Sequence, residues 1–210
     1  MKIALFGATG HTGRLVLDHL LEQGHIITAL VRTPANLDIQ HPDLRIVKGN
    51  ALVVDDVMNS IRGQDAVISV IGARTLKNDP PICSVSARNI TNAMTQLGVK
   101  RLVFLSGVAM GEKPGILMTI LRLLLLKEVY ADAVAADAIV QPTDLDWTIV
   151  RPYRMTNGPQ TQKYRISLQP FRAPILLRLT SRGDVVDFMA RATLEGTYLR
   201  QTAYLSTHGI

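Results

Sequence analysis

The 210-residue sequence predicts an α/β fold in one domain: a doubly wound parallel sheet with helices on both faces. Three observations predict it. Short apolar runs of strand length alternate with amphipathic segments of helix length along the chain, which is the signature of parallel strands joined by crossover helices. A glycine-rich turn, Gly7 to Gly13, leads straight from the first apolar run into the first amphipathic segment. The length suits one well-buried core and leaves little room for a second.

The elements follow in order. Ile3–Phe6 is a buried strand, and Thr12 to about Gln23 is a helix that Gly24 stops. Ile26–Val31 is the second strand, ended by Arg32-Thr33-Pro34, and Arg45–Val47 is a short third one leading to Gly49-Asn50. Asp55 or Asp56 suits the N-cap of a helix reaching Arg62, because a short carboxylate accepts from the free N–H groups of a first turn. Ala66–Val70 is the fourth strand, with Gly72 past its end. Helical spacing of Val85, Ile90, Ala93, Met94 and Leu97 predicts a helix from about Ile82 to Leu97, terminated by Gly98. Leu102–Leu105 is the fifth strand and ends in Ser106-Gly107. A helical region from about Leu117 to Val140 carries a leucine cluster read as core, and Trp147–Val150 is the sixth strand. Arg151-Pro152 opens a long irregular stretch, Asp184 starts a last helix running to about Glu195, and Thr202–Leu205 forms a terminal strand. The domain is read as residues 1–210, with 151–183 an elaborated segment on the substrate side.

Composition excludes several classes. Hydrophobic content of 47% with 19% charged residues belongs to an ordinary globular protein, not a disordered one. The most apolar window, Gly115 to Leu126, is broken by Arg122 and is shorter than the roughly 20 residues a spanning helix needs. Met1-Lys2-Ile3 runs directly into the first strand, so no targeting segment is expected, and the single Cys83 fits a reducing cytoplasm. Cys83 is read as a buried small residue. The five histidines, His11, His19, His25, His41 and His208, show no metal-ligand spacing, so no metal site is expected. From Trp147 to Gly183 the charged residues are Arg151, Arg154, Lys163, Arg165, Arg172, Arg178 and Arg182, without an Asp or Glu. Such a one-signed run suits an anionic small molecule or a solvated surface. Nucleic acid is disfavoured, since neither stacking aromatics nor a reading helix is present.

The opening turn, Gly7-Ala8-Thr9-Gly10-His11-Thr12-Gly13, carries the sharpest chemistry. Gly7 permits an abrupt exit from the strand, and Gly10 permits backbone to approach a pyrophosphate. Gly13 permits close packing of the helix, whose N-terminal N–H groups then face the phosphates. The spacing differs from the G-x-G-x-x-G fingerprint, and a purely structural turn is the alternative. NAD sites place a carboxylate after the second strand for the ribose hydroxyls. This chain has Arg32 and Thr33 there, which suit the 2′-phosphate of NADPH, the alternative being a solvent-facing arginine. Arg74 is placed toward the adenine side of the cofactor.

GATGHTGR, the arginine after the second strand, GQDAVISVIGAR, ARNITNAM, GVKRLVFLSG and DLDWTIVRP together resemble the atypical short-chain dehydrogenases. Within these the chain is most similar to the biliverdin reductase B/flavin reductase group and the NmrA-like NAD(P)H-binding proteins. The resemblance runs from Lys2 to about Leu205. It implies an NAD(P)-binding Rossmann fold and an NADPH-dependent reductase passing hydride to a flat conjugated acceptor such as a flavin, quinone or tetrapyrrole. It implies cofactor contacts from Gly7, Thr9, Gly10, His11, Thr12, Gly13, Arg32, Thr33, Asn50, Gly72, Arg74 and Pro152. Ser106 matches the family's active-site serine, a strand-end turn hydroxyl being the bland alternative, and Tyr153 falls where a catalytic side chain is expected. Arg154 and the other cations between 151 and 182 are expected to attract an anionic tail of the acceptor, with Met110, Met118 and Met155 offering an adaptable pocket or plain core filling.

The chain departs from the pattern twice. The Tyr-x-x-x-Lys pair is replaced by Tyr130-Ala131-Asp132-Ala133-Val134, which makes Tyr130 a helix-packing residue, and Tyr153 stands where the flavin reductases have histidine. Those departures favour a rival reading, a non-catalytic NADP(H)-binding redox sensor of NmrA-like type. A sugar-nucleotide epimerase is disfavoured for want of the tyrosine–lysine pair.

Overall fold

In the computed structural model, residues 1–72, 81–107, 127–171 and 178–207 are described. They form β1 (Lys2–Phe6), α1 (His11–Glu22), β2 (Ile26–Val31), a 3-10 turn (Pro34–Asn36), β3 (Leu44–Lys48) and α2 (Val54–Ile61). β4 (Ala66–Ser69), α3 (Ile82–Leu97), β5 (Arg101–Leu105), α4 (Lys127–Val140) and β6 (Asp146–Pro152) follow. The last part holds β7 (Arg154–Thr156), β8 (Arg165–Ser167), β9 (Leu179–Ser181), α5 (Arg182–Glu195) and β10 (Gln201–Ser206). The main sheet has the order β3-β2-β1-β4-β5-β6-β10-β8, and β7 and β9 pair as a separate ribbon. Every pairing in the main sheet is parallel except β10 with β8.

The pleat explains why these strands read as unbroken apolar runs. Ile3 and Leu5 of β1 face one core with Val16, Leu17 and Leu20 of α1 and Val185, Phe188 and Met189 of α5. Ala4 and Phe6 face the other, with Ile61 of α2, Ile90 and Met94 of α3, and Val140 of α4. A strand covered on both sides has no polar face to show, so alternation vanishes. The doubly wound parallel sheet is therefore as the sequence predicts.

Several details differ. Val53, not Asp55 or Asp56, is the N-cap of α2, and both acids lie in its first turn, where the helix dipole still favours them. The expected irregular stretch begins later, because Arg151 and Pro152 complete β6 in register with Tyr204 and Leu205 of β10. The last helix begins at Arg182. Asp184 is fully buried and accepts hydrogen bonds from the Thr161 and Gln162 N–H groups, at 2.6 and 3.1 Å, and from the Thr207 hydroxyl at 2.7 Å. It secures an excursion of the chain against the helix start, a long-range task invisible in local spacing. Residues 117–126 of the expected leucine-rich helix lie outside the described residues. No described helix is long and apolar enough to cross a membrane.

Candidate functional site

A cleft of about 520 Å³ runs along the carboxyl ends of the parallel strands, where the chain reverses its winding direction between β1 and β4. Its walls bring together the loops after β1, β2, β3, β4 and β5. Of the residues expected there, Gly7, Thr9, Gly10, His11, Thr12, Gly13, Arg32, Asn50, Gly72 and Ser106 all line it.

The glycine turn is built as its composition requires. Gly7 has φ +90°, a region L side chains rarely adopt, and its carbonyl accepts the Gly10 N–H at 3.0 Å. A Cβ on Gly13 would lie 2.0 Å from the Gly7 carbonyl oxygen, so the helix could not approach the turn with any side chain there. Gly10 differs. A Cβ there would find its nearest protein atom at 3.4 Å, an ordinary contact, so protein packing alone does not demand glycine. Gly10 caps α1 without a side-chain hydrogen bond, and the first turn holds no acid. The first-turn amides and the positive dipole end thus face a trough suited to an anion.

Arg32 follows β2 and borders the cleft, and no Asp or Glu stands among the described lining residues. Arg14 reaches across from α1 to the Asn36 carbonyl at 3.5 Å, tying α1 to the loop that follows Arg32. Asn50 is positioned by its N–H on Asp56 Oδ2 at 2.8 Å, while its own side-chain oxygen accepts the Leu52 N–H at 3.2 Å. Thr33 is exposed and does not border the cleft. Arg74, Met110 and Met118 lie outside the described residues, whereas Met155 is in the cleft wall.

Three further expected residues lie outside the described lining of the cleft. Tyr153 is 1% exposed and is not among the described residues that line the cleft. Its hydroxyl accepts the Phe171 N–H at 3.0 Å, its ring packs on Phe171, and the Arg178 guanidinium lies 5.2 Å from the ring centre. Pro152 ends β6 as a buried residue paired with Leu205, and it does not border the cleft. Arg154 is exposed on β7, outside the described lining. Tyr153 lies between β6 and β7, and its N–H bonds the Leu205 carbonyl at 3.1 Å, which ties this segment to β10. The cationic run from 147 to 183 is likewise not one surface. Arg151 and Arg178 are buried, Arg172 lies outside the described residues, and Arg182 alone of the run borders the cleft among the described residues.

The sequence left the placement of two groups undetermined. Arg182, at the start of α5, donates from Nε to the Thr12 hydroxyl at 3.2 Å and from Nη1 to the Asn157 side chain. A guanidinium therefore sits at the start of α1, delivered from 170 residues away. The second group lies beneath Ser106. The Ser106 hydroxyl donates to Asp137 Oδ2 at 3.0 Å, and Arg151 Nη2 donates to the same oxygen at 2.6 Å. Arg151 Nη1 donates to the Tyr204 hydroxyl at 2.9 Å. Burial pushes the Asp137 carboxyl above its ordinary range, opposed by the Arg151 charge and by hydrogen bonds from Arg151 and Ser106. A one-signed charge run hid Arg151's partner because that partner stands 14 residues earlier, on α4.

Cys83, buried as expected, still contributes to the cleft wall at the start of α3. Its N–H and that of Ser84 donate to the Asp132 carboxylate at 2.8 and 2.9 Å, so a residue of α4 caps α3, whose own N-cap is Pro81. Among the described residues no cluster of three or more His, Cys, Asp or Glu could hold a metal ion.

Comparison with known proteins agrees with this architecture. The chain is 28% identical over 176 residues to an uncharacterized chloroplastic protein of Arabidopsis thaliana, covering 76% of this chain and 61% of that protein. The chain thus spans about three fifths of the length of that relative. Among solved structures, the oxidoreductase YlbE of Lactococcus lactis superposes with TM-score 0.82 at 22% identity, covering 100% of this chain and 91% of that one. The anaerobilin reductase ChuY of Escherichia coli O157:H7 gives TM-score 0.81 at 17% identity, covering 100% and 98%. At such identities the likeness establishes the fold. The sequence profile of the family described as NAD(P)H-binding matches residues 7–195, nearly the whole chain, and this protein belongs to that family, with a Rossmann-like fold.

Proposed function

We propose that this protein is an NADPH-dependent reductase acting on a flat conjugated acceptor of the flavin, quinone or tetrapyrrole kind. One observation carries the reading: a single cleft joins the glycine turn, two guanidinium groups and Ser106 without an Asp or Glu among its described walls. The residues present fit a dinucleotide carrying an extra phosphate. Gly10 and the first-turn amides of α1 receive the diphosphate, with Arg182 beside them as a second cationic contact. Arg32 takes the 2′-phosphate, where a carboxylate would repel it. Asn50 and Gly72 border the adenosine half, and Ser106 borders the reacting half.

When bound, the nicotinamide supplies hydride. The chain's own contribution is proximity and exclusion of water: Met155 and the apolar residues Val129, Ala133 and Ala136 form the wall against which a flat acceptor lies. Tyr153 lies outside the described wall of this cleft, and this reading gives it no proton to donate. A flavin or quinone tolerates that, since water can protonate its reduced form. The likeness to an anaerobilin reductase supports a flat acceptor. A second reading, an NADP(H)-binding redox sensor, is favoured by the same burial of Tyr153. The deciding experiment follows NADPH oxidation with FMN, a quinone panel and biliverdin, and repeats it with NADH. Turnover preferring NADPH supports the reductase. Tight NADPH binding with no turnover on any acceptor supports the sensor.

A further inference from the structure

The Ser106 hydroxyl has one proton, and where that proton points decides what the cleft can hold at the end of β5. A carboxylate only accepts and a guanidinium only donates, so the contact between Ser106 and Asp137 Oδ2, at 3.0 Å, uses the serine proton. Asp137 cannot release it cheaply. Asp137 is 4% exposed, and its Oδ1 has no hydrogen-bond partner among the described residues. A buried carboxylate already short of one partner would then rest on Arg151 alone. Nor is Arg151 free to turn elsewhere. It is 7% exposed, and its other terminal nitrogen is committed to the Tyr204 hydroxyl at 2.9 Å. The loop itself is fixed by the Ser106 N–H on the Val150 carbonyl at 2.8 Å.

We propose that Asp137, held by Arg151, sets Ser106 as a hydrogen-bond acceptor toward the cleft, so that this end of the site takes a planar N–H donor and not a carbonyl oxygen. The proposal rests on the cofactor-binding reading above. Ser106 would then neither polarise a carbonyl nor pass on a proton; it positions a ligand through a lone pair. Asp137 is a positioning residue, since it reaches the cleft only through Ser106. Two ligands offer the required N–H: the carboxamide of the nicotinamide, and an imide nitrogen on the acceptor.

The experiment measures dissociation constants at neutral pH by calorimetry for two pairs of probes. NADP⁺ is compared with its 3-acetylpyridine analogue, in which a methyl replaces the carboxamide NH₂, and FMN is compared with N3-methyl FMN. The wild-type protein is expected to prefer the N–H member of one pair by about tenfold, the worth of one hydrogen bond plus the cost of leaving its partner unmet. The pair affected identifies the source of the N–H. Ser106→Ala should erase the preference, which separates it from a steric effect of the methyl group. Asp137→Asn should lower or invert it, because the amide can serve Arg151 with its oxygen and donate its N–H to Ser106, releasing the serine proton to the cleft. If Asp137→Asn does not fold, as judged by circular dichroism, the wild type and Ser106→Ala still decide. Binding of NADP⁺ with equal affinity within each bound pair, or a preference that survives Ser106→Ala or a folded Asp137→Asn, overturns the proposal and leaves the cofactor reading intact. Failure of NADP⁺ itself to bind removes the cofactor reading, and the proposal falls with it.

Discussion

The two ends of the cleft are made in opposite ways. At the β1 end the surface is backbone: a glycine at φ +90°, a helix start with no side-chain cap, and a carbonyl that a Cβ on Gly13 would approach to 2.0 Å. At the β5 end it is the Ser106 side chain, backed from beneath by Asp137, Arg151 and Tyr204, four residues from separate parts of the chain joined in one hydrogen-bonded network. The first end depends on what is absent from the residues, the second on pairs that must be complete. Damage to the first should therefore be steric and local, and damage to the second electrostatic and dependent on pH.

Arg151→Met should be the most severe change, since it leaves the Asp137 carboxylate buried without its cation. A loss of about 3–5 kcal/mol in urea unfolding at neutral pH is expected. The deficit should shrink on acidification, because a protonated Asp137 no longer needs a counter-charge. In the wild type the native carboxyl holds its proton more tightly than the unfolded one. Its contribution to stability therefore falls as pH rises from the ordinary value of 3.8 toward the raised folded one, and Asp137→Asn should lack that slope. An Arg151→Met deficit that stays constant with pH would break the contrast.

At the other end, Gly13→Ala should cost about 2–3 kcal/mol by forcing α1 off the turn, whatever the pH. Gly10→Ala should alter stability by no more than about 0.5 kcal/mol while weakening NADPH binding roughly tenfold, because its Cβ meets ligand and not protein. Equal stability losses at the two positions would show that the turn is purely structural. Arg32→Glu should raise the NADPH dissociation constant by roughly tenfold or more and leave NADH nearly unchanged, as expected for removing a phosphate partner and adding a repulsive charge. The smallest effect belongs to Tyr153→Phe. It removes the acceptor of the Phe171 N–H and should cost about 1 kcal/mol of stability, with kcat unaltered. A large fall in kcat would return Tyr153 to the site.

The same contrast explains what could be read from the sequence. The Gly7–Gly13 turn, the succession of strands and the position of Arg32 were legible because their information is local: a residue type at a fixed offset from a strand end. Ser106 was legible for the same reason. Asp137 was not, because an acid on a helix announces nothing until β6 brings Arg151 within 2.6 Å of it. The surroundings of Tyr153 were not legible, because they come from Leu205 and Phe171, which lie far from it along the chain. Arg182 was read as one cation among seven, and the packing of α5 on α1 singles it out.

The carboxylate of Asp132 closing the start of α3 has a consequence for how the molecule assembles. The first amides of α3 find their partner only after α4, some 50 residues later, has docked, so neither helix can complete this corner during local, early folding. Backbone amides at Cys83 and Ser84 should therefore exchange with solvent deuterium in step with those of α4. On that account, the wall carrying Ile82 and Cys83 arises as a late, cooperative event and opens as a unit when the protein breathes.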